Sequence, residues 1–158
     1  MLPKIDEGNF YTLFIYVLLF RSMDDFADFE AFRLCREYGQ GIAHILKNGR
    51  FSKDPVIPIQ LRKTVVSVYS NFAEGFERDG NKEFVQFLSI AKGSLGESRG
   101  QLYCALDFGR LTLAEFENLN ELGKKAARCV GGLMRYLGRS ELRGRKYKTT
   151  ATRRSTKN

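Results

Sequence analysis

The chain has no tryptophan, three prolines and a single histidine among its 158 residues. So few prolines leave room for long, uninterrupted helices. His44 stands alone, which argues against the clustered Cys and His of a zinc centre and against the facing Glu-x-x-His pairs of a di-iron bundle. Its place is expected at a helix surface or at the edge of the core. Cys35, Cys104 and Cys129 are odd in number, widely spaced and without a C-x-x-C pair. They are expected as reduced core thiols of a cytoplasmic protein rather than as a disulfide framework. There is no Walker-type loop. Gly39-Gln-Gly41 lacks the third glycine and the preceding strand of a dinucleotide fingerprint. Lys92-Gly-Ser-Leu-Gly96 is one position off the nucleophile-elbow pattern, and His44 lies upstream of it. No catalytic residue, metal or cofactor is expected, and an enzyme is not.

Long hydrophobic runs are also missing. The most apolar stretch, residues 10–20, is FYTLFIYVLLF, well short of the roughly 20 residues that span a bilayer. Lys4, Asp6 and Glu7 precede it and no A-x-A cleavage site follows, unlike a signal peptide. Met23 opens an ordinary helical beginning, MDDFADFEAF. Residues 1–22 are therefore expected to be an extension upstream of the natural start; a hydrophobic arm or membrane-associated segment is the alternative. No membrane partner is expected.

What the chain does have is positive charge, unevenly placed. The formal net charge is +8, which suggests an anionic partner. Residues 138–158 hold eight basic side chains (Arg139, Arg143, Arg145, Lys146, Lys148, Arg153, Arg154 and Lys157) against the single acid Glu141, a balance of +7. Residues 1–137 carry 18 basic and 17 acidic side chains, a balance of +1. The tail, rich in Arg, Lys, Thr and Ser, cannot bury enough surface to fold alone. It reads either as a solvated terminus or as an electrostatic arm that binds nucleic acid by displacing counterions from phosphates.

Between these ends the apolar residues recur at helical spacing. The first helix is expected over about 28–47, with Phe29, Phe32, Leu34, Cys35, Ile42, Ile45 and Leu46 on its buried side and Asn48-Gly49 as its stop. The second covers about 58–78, with Pro58 opening its first turn and Leu61, Val65, Val68 and Phe72 inward. The third starts at Asn81 as cap and runs to about 107, ended by Phe108-Gly109. Gly93, Gly96 and Gly100 interrupt it; each costs a helix about 1 kcal/mol relative to Ala, so a close approach by a neighbouring helix or subunit is expected there. The fourth opens with Thr112-Leu-Ala-Glu115, a capping box, and continues to Leu137. With 13 Phe in the chain, the core should rest on Phe and Leu. Short connections make an all-α, antiparallel up-and-down four-helix bundle of residues 23–137 the economical architecture.

Two polar groups stand out. Asn71, Glu74 and Arg78 share one face of the second helix, and Ser94, Glu97 and Gln101 one face of the third. They read either as an interhelical hydrogen-bond network or as a polar groove for a ligand, RNA or subunit. An acid–base pair of Glu74 and Glu97 would lack a metal, cofactor or second catalytic group.

Gln60-Leu-Arg62, Val66-Ser-Val-Tyr-Ser-Asn-Phe-Ala-Glu-Gly75, Arg78, Phe84, Phe87-Leu88, Ile90-Ala-Lys-Gly-Ser94 and Glu97 resemble the signature of the bacterial four-helix bundle proteins, also called the 23S rRNA intervening-sequence protein family. The resemblance covers about residues 26–137. Tyr69 departs from it, standing where the family often has proline, so the second helix is expected to be straighter here. The resemblance implies a ring-like homopentamer, and it places Gln60, Arg62, Ser70, Asn71, Glu74, Gly75, Arg78, Ser94 and Glu97 on the family motif, with Gln101 beside them, as structural or interaction residues. More distantly, the chain is similar to the accessory variability determinant of diversity-generating retroelements, which associates with a reverse transcriptase and nucleic acid. The expectation is a non-catalytic, oligomeric module associated with RNA or nucleoprotein. The alternative is a protein-interaction scaffold for an element-encoded protein such as a reverse transcriptase.

Overall fold

Asp25 begins the ordered packing by accepting a hydrogen bond from the backbone of Ala27 at 2.7 Å, which caps a short 3-10 turn, Phe26–Asp28. The computed structural model describes residues 24–47, 49–52 and 55–139. Among them are four α-helices and no strand: α1 (Glu30–Leu46), α2 (Val56–Glu77), α3 (Asn81–Asp107) and α4 (Leu113–Arg139). Residues 1–22, expected as an extension, and residues 140–158 of the basic tail lie outside the described residues.

The ends of the helices follow local chemistry. The 3-10 turn takes up Asp28, so α1 starts at Glu30 rather than at 28, with extended Phe29 as its cap. Gly49 follows α1 at φ 67°, a left-handed conformation that glycine adopts without strain. The second helix starts two residues earlier than Pro58 suggests. Pro55 caps it and Pro58 takes its third position, where the backbone N–H still has no helical partner to lose. Gly80, not Asn81, caps α3, and Asn81 is its first residue. At the other end of α3, Arg110 N–H reaches Ala105 O at 2.8 Å and Gly109 N–H reaches Leu106 O at 2.9 Å. With Gly109 at φ 66° this is a Schellman closure. The capping box at α4 forms: Thr112 N–H donates to Glu115 Oε2 at 2.9 Å and Glu115 N–H to Thr112 Oγ1 at 3.3 Å. α4 continues two residues past Leu137, to Arg139.

Each helix packs on its neighbours in the chain, and α1 closes the bundle against α4. Partners run in opposite directions: Thr64 meets Gln101 while Ser67 meets Ser94, and Arg99 meets Asn120 while Lys92 meets Gly131. Leu61, Phe72, Leu88, Leu95, Leu102, Ala126 and Val130 are fully buried between them. One end is aromatic. Phe29 lies 5.9 Å from Phe72, 5.7 Å from Phe76 and 5.8 Å from Phe84, ring centre to ring centre and edge to face, an arrangement that adds to area burial. Across the diagonal, the Tyr38 hydroxyl and Ser98 Oγ share a buried hydrogen bond of 2.8 Å. The opposite end is tied by charge: Arg50, in the α1–α2 connection, grips Glu115 with both guanidinium nitrogens at 2.8 and 2.5 Å.

Four glycines set how close the helices come. A Cβ at Gly39 would collide with the Tyr69 phenol of α2, one at Gly41 would sit 2.6 Å from Leu119 of α4, one at Gly75 2.6 Å from Phe87 of α3, and one at Gly123 2.9 Å from Arg99. Gly93, Gly96 and Gly100 differ: nothing lies within 4 Å of a Cβ built on any of them. The close approach expected of a neighbouring helix does not occur among the described residues. Cys35 is buried as expected, and burial pushes its thiol up to about 12. Cys104 is exposed, however, and is not a core thiol; it lies four residues on from Gly100, along the open side of α3. His44 is exposed on α1. No helix among the described residues is long and apolar enough to cross a membrane.

Candidate functional site

The polar residues picked out on α2 and α3 meet along one seam, joined by Ser67 and Thr64, which were not among them. Ser67 Oγ and Ser94 Oγ are 2.8 Å apart. Asn71 Nδ2 donates to the Ser67 carbonyl at 2.8 Å and to its hydroxyl at 3.2 Å. One turn back, the Thr64 hydroxyl donates to Leu61 O at 2.9 Å, with Gln101 Oε1 at 3.5 Å. Gln101 Nε2 donates to Glu97 Oε1 at 3.1 Å. Toward the aromatic end, Arg78 pairs with Glu74 at 2.5 Å and lies 4.8 Å over the Phe87 ring. Thr64 and Ser67 lie seven and four residues before Asn71, on the same helical face. That spacing is the signal by which they were open to reading.

The seam thus has three levels, and Glu74 and Glu97 occupy different ones. Each carboxylate is engaged by a neighbour on its own helix, Arg78 or Gln101, and both are exposed. They do not converge on a shared point. Ser94 is buried, Asn71, Gln60 and Gln101 are half-buried, and Arg62 and Ser70 are exposed. The motif segment Asn71-Phe-Ala-Glu-Gly75 can be explained residue by residue. Asn71 binds back to Ser67, Phe72 fills the core, Glu74 holds Arg78, and Gly75 admits Phe84 and Phe87. Tyr69, at the position where the resemblance suggests proline, lies across Gly39 with its hydroxyl donating to Arg36 O at 3.3 Å. α2 is unbroken through it.

Among the described residues there is no group of three or more His, Cys, Asp or Glu that could hold a metal ion. Among the described residues, the gap lined by Cys35, Tyr38, Thr64, Val65, Val68, Tyr69 and Ser98 has no room even for a water molecule, let alone for a substrate.

Of the tail cations only Arg139 is among the described residues, exposed at the last position of α4; Arg143, Arg145, Lys146, Lys148, Arg153, Arg154 and Lys157 lie outside them. The folded part has a charge pattern of its own, which the near-neutral sum of residues 1–137 conceals. Residues 122–139 of α4 carry Lys124, Lys125, Arg128, Arg135 and Arg139 and no acid. All the acids of α4, namely Glu115, Glu117 and Glu121, precede them.

No curated protein matches the chain. The 23S rRNA-intervening sequence protein family matches residues 27–132, from the turn before α1 to within α4. The match takes in the α2–α3 seam and all four packing glycines, and by it the chain belongs to the 23S rRNA-intervening sequence protein family.

Proposed function

We propose that this chain is a non-catalytic, self-associating bundle of the cytoplasm that acts with RNA or in an RNA–protein particle. The observation that carries this reading is the separation of charge: +7 in residues 138–158 against +1 in all the rest. Such a segment gains affinity from released counterions and needs no fixed structure to do so. The family name supports an rRNA setting. It is the name of an intervening-sequence protein, not of a known type of enzyme.

Self-association, in the ring-like homopentamer that the family resemblance implies, would bring several tails together and raise avidity without any new contact. The open side of α3 supports it. Gly93, Gly96 and Gly100 weaken that helix and receive no neighbour among the described residues. Ile90 is 47% exposed on the same helix and Val66 62% exposed on α2. These exposed apolar side chains also favour a second reading, a scaffold that captures a protein such as an element-encoded reverse transcriptase.

Fluorescence anisotropy with a labelled 23S rRNA fragment and a scrambled RNA, at low and moderate salt, tests the first reading. The full chain should bind in a salt-dependent way, and a version ending at Leu137 should bind much more weakly. Absence of binding by either version would leave the scaffold reading. Capture of a partner unaffected by loss of residues 138–158 would support that second reading directly.

A further inference from the structure

The positive charge of the C-terminal region begins inside the bundle. α3 and α4 run antiparallel, so residues 84–96 of α3 lie beside the second half of α4, with Lys92 reaching Gly131. Residues 84–96 contain Lys92 and no acid, and residues 122–139 contain five cations and no acid. Within these bounds the two facing stretches carry six cationic side chains; Glu83 and Glu97 flank the α3 stretch, and Glu30 of α1 lies near Cys129 of α4. The nearest acid preceding them on α4 is Glu121. It is held below the usual carboxylate range by its hydrogen bond from Lys124, with Arg128 and Arg99 also close.

The floor between these helices is bare. A Cβ at Gly131 would stand 3.6 Å from Lys92 Nζ and 3.7 Å from Arg135 Nη1. Two cations from different helices therefore lean over the same glycine. Gly132 follows, with Arg135 Nη2 at 4.0 Å from its Cβ position. Lys92, Arg128 and Arg135 are all exposed. Arg128 and Arg135 are seven residues apart, about 10 Å along the axis. From Lys124 to Arg139 the row is about 22 Å long, and residues 140–158 follow it in the sequence.

We propose that the trough between α3 and the second half of α4, walled by Lys92, Arg128 and Arg135 and floored by Gly131-Gly132, is an RNA-binding surface along which the phosphate backbone runs. This rests on the RNA reading above. A like-charge pair over a side-chain-free floor suits an anion that comes close to the helix. A row that is long, straight and of one sign suits a polymer whose charge repeats along its length. A compact acidic patch on a protein fits it less well. Contacts of this kind position a strand and carry no base specificity.

The test uses the full chain, with Lys92→Gln, Arg128→Gln and Arg135→Gln combined, and compares it with a full chain in which Arg143, Arg145 and Lys146 become Gln. The probes are a fluorescein-labelled RNA strand and, separately, labelled polyglutamate. The trough variant should lose at least tenfold in RNA affinity at moderate salt. Its slope of log affinity against log salt should fall by about 2 if the strand is single, three contacts at about 0.7 each. The tail variant should lose affinity too, so that neither alone abolishes binding. Circular dichroism and the thermal midpoint should be unchanged by the trough variant. If they are not, Lys92→Arg with Arg135→Lys, which keeps both charges, must bind RNA as the parent does, or the proposal fails. RNA affinity unchanged by the trough variant while the tail variant loses it would overturn the trough and leave the RNA reading standing. No RNA binding by the parent chain would overturn both. Polyglutamate bound as tightly as RNA, and lost in the trough variant, would overturn the RNA assignment in favour of an acidic protein partner.

Discussion

Two groups of helix glycines show what the same residue does in two places. Gly39, Gly41, Gly75 and Gly123 lie between helices, and a methyl group at any of them would strike a neighbour. Gly93, Gly96 and Gly100 lie on the open side of α3, where a methyl group would strike nothing. Both groups lower helix propensity by about 1 kcal/mol per residue. The first recovers that cost through close packing. The second has no such return among the described residues.

The contrast can be broken from either side. The largest effect should come from removing what a seam glycine admits. Phe84 packs on Gly75 and on the rings of Phe29, Phe72 and Phe76, and Phe84→Ala should lose about 3–5 kcal/mol in chemical denaturation. Replacing Gly93, Gly96 and Gly100 together by Ala should act in the opposite direction. The isolated chain should gain roughly 3 kcal/mol at about 1 kcal/mol each, read as a raised thermal midpoint at low concentration. Light scattering should show weakened self-association in the same variant. A gain in stability with association unchanged would remove the open face from the assembly. Gly75→Ala, with its added methyl 2.6 Å from Phe87 Cβ, should lose about 1–3 kcal/mol through overpacking. A neutral outcome there would mean that α2 and α3 can move apart freely.

The smallest effect concerns pH, at the end of the bundle away from the Phe cluster. Hydrogen bonds from Arg50, then from the Thr112 backbone, lower the Glu115 carboxyl from 4.5 to about 2. Because the folded form holds this group ionised, its contribution is complete above about 4.5 and is lost as the pH falls toward 2. Acid titration of the folded state by circular dichroism should show the Glu115→Gln variant changing less across that window than the parent chain.

Much of the bundle was legible in the residues because helical periodicity and capping are local. The recurrence of Phe29, Phe32, Cys35 and Ile42, the Thr112–Glu115 box and the Phe108-Gly109 stop depend on a few neighbours in the chain, and each is present in the fold. Misread features turned on what surrounds a residue. Pro58 is compatible with any position in a first turn, so it did not fix where α2 begins. Asn81 is a good cap, but Gly80 already had the extended backbone the cap needs. Cys104 follows the spacing of an apolar segment yet is exposed on α3. The seam was half legible: spacing put Asn71 with Glu74 and Ser94 with Glu97, but only the register of α2 on α3 joins them through Ser67 and Thr64. The row of cations on α4 was hidden by summation, since acids elsewhere in residues 1–137 cancel it arithmetically though they sit at different places on the molecule.

Glu115 has one further consequence. The same carboxylate closes the first turn of α4 and anchors Arg50 of the α1–α2 connection, so two segments 65 residues apart in sequence share a single fastening. Unwinding the start of α4 would release Arg50, and loosening the connection would release Glu115, so one part-exposed ion pair links the opening of two distant segments.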